Sequence, residues 1–85
     1  MTPKPNPNVI LHEMPDGEHA LADTSQGSML VVNDLGAAVW LMINGKRDVS
    51  VIVRMVAEAK TTPAETVAND IEAFIDELRG RGFIT

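Results

Sequence analysis

The apolar residues of this chain change their spacing once, at Asn33–Asp34, from a period of two to a period of about 3.6. Everything ahead of that point reads as short strands and turns, and everything after it as amphipathic helix. Strands in one block and helices in the next leave no room for βαβ alternation. The pattern therefore predicts an α+β domain rather than a parallel α/β sheet.

Val9, Ile10 and Leu11 open the first strand, and Pro15-Asp16-Gly17 supplies the chemistry of a three-residue hairpin loop with Gly17 in the left-handed position. A second strand spans His19 to Asp23 and ends at the turn composition Thr24-Ser25-Gln26-Gly27. Ser28 to Val32 is the most apolar of the three, with Met29, Leu30, Val31 and Val32 in succession. Ahead of them, Pro3, Pro5 and Pro7 forbid a helix, and residues 1–8 are expected to form a flexible, extended tail before a domain over residues 9–85.

Asn33 or Asp34 caps a first helix whose stripe is Leu35, Ala38, Val39, Met42 and Ile43, with Asn44-Gly45 as its stop. Trp40 lies off that stripe and suits either a partner-facing anchor or a core plug. Asp48 caps a second helix on Val49, Ile52, Val53, Val56 and Ala57. In Thr62-Pro63-Ala64-Glu65 the threonine is expected to cap the third helix, Pro63 to take its first position and Glu65 to close a capping box. Its wide stripe runs Ala64, Val67, Ala68, Ile71, Phe74, Ile75 and Leu78; Gly80 and Gly82 end it, and Phe83-Ile84 returns to the core. A sheet of three strands needs a cover, and the helices are the only candidates. The expected architecture is a three-stranded antiparallel sheet followed by three helices, winged-helix-like with its strands placed first.

With 85 residues there is material for one modest core, and aromatics at 4% leave it to be built from aliphatic side chains. A formal net charge of -5 repels nucleic acid, and the third helix carries Glu65, Asp70, Glu72, Asp76 and Glu77 against Arg79 and Arg81, so a DNA-binding winged helix is the disfavoured alternative. There is no cysteine, hence no disulfide or thiolate site, and no apolar run long enough for a membrane, which makes the cytoplasm the expected compartment.

No catalytic, cofactor or metal constellation is evident. His12 and His19, with Glu13, Asp16 and Glu18, could meet across the first hairpin, but they lack fixed ligand spacing and read as hairpin solvation. Ser25, Ser28 and Ser50 have no nucleophile elbow, and Gly27, Gly36 and Gly45 are too scattered for a phosphate loop. The Asp-Ser-Leu of an acyl-carrier protein is missing as well. A non-enzymatic protein is expected, with a generic interaction adaptor as the plainest alternative.

Across nearly the whole chain the order of short motifs resembles the PqqD family of peptide chaperones and the related RiPP recognition elements. Pro5 to Val9 is similar to the family's proline-containing lead, and Asp16-Gly17 falls at its hairpin. Leu30-Val31-Val32-Asn33 followed by Ala37-Ala38-Val39-Trp40-Leu41 resembles its central block, with Gly45 at the end of the first helix. Val49 to Val53 resembles the start of the second helix, although Val51 stands where a glutamate is frequent. Asn69 to Ile75, then Leu78, Gly82 and Phe83-Ile84, match the closing block.

The resemblance implies a module that binds the leader of a ribosomally made precursor peptide and presents it to a modifying enzyme, usually a radical SAM maturase. An apolar strand at a sheet edge is an aggregation hazard unless a partner strand completes it. The expected site is accordingly the edge of Met29, Leu30, Val31 and Val32, with a groove floored by Val67, Ile71, Phe74 and Ile75. Asp70 flanks that stripe and suits either a basic leader residue or, as the plainer reading, the solvated face of the helix. Residues at the spacing of Val67, Ile71 and Leu78 are more often plain core than the wall of a ligand groove. The same edge can also pair with a second copy, giving a homodimer.

Overall fold

A computed structural model describes residues 2–85. The elements follow in the order β1 (Val9–Glu13), β2 (His19–Asp23), β3 (Met29–Val32), α1 (Asp34–Met42), α2 (Val49–Lys60) and α3 (Ala64–Gly80). The α+β reading of strands first and helices after is what the fold shows. The strands form one antiparallel sheet in the order β1-β2-β3.

Both hairpins follow from their turn residues. Met14 and Glu18 close the first loop through Met14 N–H to Glu18 C=O at 2.7 Å, and Gly17 takes φ 88°. The second is organised by Asp23, which is buried. Its Oδ1 accepts from Ser25 N–H at 2.9 Å, from the Ser25 hydroxyl at 2.6 Å and from Gln26 N–H at 3.3 Å. These bonds, the Ser25 hydroxyl first and its N–H next, hold the Asp23 carboxyl below its ordinary value.

The register places Val9, Leu11, Leu21, Leu30 and Val32 on one sheet face, against the helices, and Ile10, Ala20, Ala22, Met29 and Val31 on the other. The core joins that inner face to Val39, Ile43, Ile52, Val56, Ile71, Ile75 and Leu78. Trp40 resolves as a core residue, only 8% exposed. Phe83 and Ile84 are fully buried, as their position after α3 predicts.

Asn33 caps α1 by accepting from Gly36 N–H at 2.8 Å, and Asp48 caps α2 by accepting from Ser50 N–H at 3.1 Å. The capping box at α3 does not form. Thr61 adopts a left-handed conformation (φ 52°), and Thr62 N–H donates to Ala57 C=O at 3.0 Å, so both residues complete the end of α2. The Thr62 hydroxyl turns back to Lys60 C=O at 3.1 Å, and Pro63 becomes the residue before α3, with no side-chain cap.

The N-terminal segment also departs from the free tail that its prolines suggest. It is extended, but Pro3 is fully buried and Pro5 forms an antiparallel bridge with Ile84. Lys4 and Thr85 exchange two backbone hydrogen bonds at 3.1 and 3.0 Å, and Asn6 N–H donates to Phe83 C=O at 2.9 Å. Pairing with the other end of the chain satisfies polar groups that the prolines leave outside any local structure.

Candidate functional site

The strand β3 pairs with β2 alone among the described residues, so its second side is an open edge. Asp23 N–H donates to Ser28 C=O at 2.9 Å, which makes Asp23 and Ser28 a hydrogen-bonded pair of the ladder. Antiparallel ladders alternate. Leu30 and Val32 therefore turn their peptide groups toward β2, while Met29 and Val31 turn theirs to the open edge. Side chains alternate on the orthogonal axis: Leu30 and Val32 face the helices, whereas Met29 (55% exposed) and Val31 (54%) face outward. The four residues expected to act alike divide into two pairs with different roles.

At the Asn33 end of this edge the chain turns into α1, and there a cleft of about 160 Å³ opens between α1 and α3. Asn33, Leu35, Gly36 and Val39 form one wall and Asp70, Ile71 and Phe74 the other. Its width is set by Gly36. A Cβ at that position would lie 3.1 Å from Val32 Cβ and 3.3 Å from Phe74 Cζ, so any larger residue pushes its neighbours back by a few tenths of an ångström. Phe74 is half-buried and Asp70 is exposed, so one presents an apolar flank and the other a carboxylate rim.

Of the expected groove residues, Asp70, Ile71 and Phe74 come together in this cleft. Val67 and Ile75 are buried in the core, 7% and 2% exposed, and do not line it. The second wall was missed because it belongs to α1, not to the strand. A glycine inside an otherwise good helix was the available signal, since it costs stability unless something packs against it.

A second, shallower recess lies around the same corner, bordered by Gly17, Glu18, His19, Val31, Val32, Asn33 and Asp34. His19 Nε2 lies 3.3 Å from Asp34 Oδ1. His12 and His19 fall on opposite sheet faces, because His12 pairs with Ala20 and His19 with Glu13. Among the described residues no three His, Asp or Glu side chains converge as metal ligands, and no helix is long and apolar enough to cross a membrane.

Three solved structures share this fold. TbiB1 in complex with the TbiA(beta) leader peptide matches with a TM-score of 0.77 at 18% identity, covering 95% of this chain and 93% of that one. A lasso peptide synthetase B1 complexed with the leader peptide gives 0.79 at 15% identity, covering 100% and 99%. The solution structure of the PqqD truncation of Methylobacterium extorquens PqqCD, described as a functional and stand-alone RiPP recognition element, gives 0.80 at 18%, covering 98% and 87%. No curated protein matches in sequence. The sequence model of the family described as coenzyme PQQ synthesis protein D matches residues 18–84, from the first hairpin through the buried Phe83-Ile84. On that match and the shared fold, this chain belongs to the PqqD family.

Proposed function

We propose that this protein is a peptide chaperone that binds the leader of a ribosomally synthesised precursor by strand addition. The observation that carries the reading is the open edge of β3, where Met29 and Val31 offer unpaired N–H and C=O groups beside an apolar cleft. An added strand takes its affinity from these peptide groups and its selectivity from alternate side chains. Leader residues opposite Leu30 and Val32 point to the helix side, and those opposite Met29 and Val31 cover the exposed outer face. The cleft, at about 160 Å³, is close to the ~150 Å³ that holds a benzene in an apolar cavity, so it suits one leader side chain of that size. Ile71 and Phe74 flank that side chain; Val67 and Ile75 support them from the core.

The two leader-bound structures with this fold support the same use of it here. In this reading the protein has no catalysis of its own and works in the cytoplasm, where precursors are translated. It hands the peptide to a separate maturation enzyme, and membership of the PqqD family favours a radical SAM enzyme. The acidic outer side of α3, with Glu65, Asp70, Glu72, Asp76 and Glu77, disfavours duplex DNA as a ligand.

Proline substitution tests the edge directly. Val31→Pro removes a donor that β2 does not use, and an edge strand tolerates proline with its missing N–H to the outside. It should keep the fold and weaken binding of a precursor leader peptide by about tenfold in a fluorescence-polarisation titration. Leu30→Pro removes a ladder donor and should unfold the β2–β3 hairpin instead. Full affinity in a folded Val31→Pro protein would rule out strand addition at β3.

A further inference from the structure

The corner at Asn33 borders both the cleft and the shallower recess, and its charges are of one sign. Asp70 stands on the cleft side, and Glu18 with Asp34 on the recess side. No lysine or arginine lines either one. Elsewhere on α3, Asp76 pairs with Arg79 at 3.1 Å and Glu77 with Arg81 at 3.2 Å, while Glu65 and Glu72 line neither the cleft nor the recess. Asp34 has His19 beside it and also serves the first turn of α1, where a carboxylate favours the helix dipole. Glu18 and Asp70 have no cationic partner among the described residues, and both are exposed.

We propose that the segment bound along β3 carries a lysine or arginine where it passes Asn33, drawn by Asp70 on the cleft side and Glu18 on the recess side. The inference rests on the strand-addition reading and adds the chemical class of the guest: an extended peptide, apolar at alternate positions, with a cation at one end. An apolar floor under an uncompensated acidic rim repels an acidic segment and steers a basic one into the same register. A long side chain fits such a corner, because its stem lies along apolar surface while its charge stays wet.

A randomised library of 12-residue peptides, displayed and selected on the wild-type protein, tests the proposal. Selected binders are then titrated against Val31→Pro and against the double variant Glu18→Gln/Asp70→Asn. The expected binders are sensitive to Val31→Pro, enriched in Lys or Arg toward one end, and bind the double variant about fivefold more weakly at low salt. That gap should close near 1 M salt, where the screening length falls to about 3 Å. Binders sensitive to Val31→Pro that lack this enrichment, or that bind the double variant equally well, overturn the cation assignment and leave strand addition standing. Should no binder respond to Val31→Pro, strand addition is overturned and the cation assignment with it.

Discussion

Gly36 joins three features of the molecule: the end of β3, the cap of α1 and the close approach of α3. A methyl there gains about 1 kcal/mol of helix propensity, but it meets Val32 Cβ at 3.1 Å, and overpacking costs about 1–3 kcal/mol. Val32 is buried on a paired strand and yields little, so packing outweighs propensity. Gly36→Ala should lower stability by about 1 kcal/mol in urea denaturation, and its effect on the cleft should appear as weaker leader binding. Asp23 has a different signature. Its carboxyl is held below the ordinary 3.8 by Ser25 and Gln26, so its stabilising effect is complete above that value and is lost as pH falls through the lower folded-state value. The acid limb of the wild-type stability profile should therefore steepen below about 3.8, and Asp23→Asn should flatten it. Neither role could be read from composition: Gly36 looks like a helix defect and Asp23 like a strand-end charge until the partners are in place.

Single elements were largely legible, because each is announced by local chemistry. Asn33 and Asp48 cap where their side chains suggest, and Pro15-Asp16-Gly17 forms the expected loop. The failure at Thr62 is instructive. Its sequence context offers a capping box, but a connection of only Thr61 to Pro63 makes the same residues finish α2. A cap lost from α1 and a cap that never formed at α3 should differ in stability. Asn33→Ala is expected to cost about 1 kcal/mol, and Thr62→Ala less than about 0.5 kcal/mol, in parallel thermal melts. The strand β3 shows the opposite limit. Four consecutive apolar residues conceal the period of two, so the strand was visible, while its division into inward Leu30 and Val32 and outward Met29 and Val31 was not.

For the whole molecule, the features hardest to read in advance are those that join distant parts of the chain. The bridge from Pro5 to Ile84 ties the two ends together, and no local motif at either end announces it. The cleft likewise needs α1 and α3 side by side, and Leu35, Gly36 and Val39 enter it only through that packing. What the tertiary structure adds to the apolar strand is an edge left unpaired next to a cleft. Amide hydrogen exchange at single-residue resolution, with and without saturating leader peptide, tests the proposed use of that edge most directly. In the free protein the amides of Met29 and Val31 should exchange fast while those of Leu30 and Val32 are protected by β2. Saturation should slow Met29 and Val31 by about tenfold or more and change Leu30 and Val32 far less. If Met29 and Val31 still exchange fast in the saturated complex, the peptide is bound somewhere other than the open side of β3.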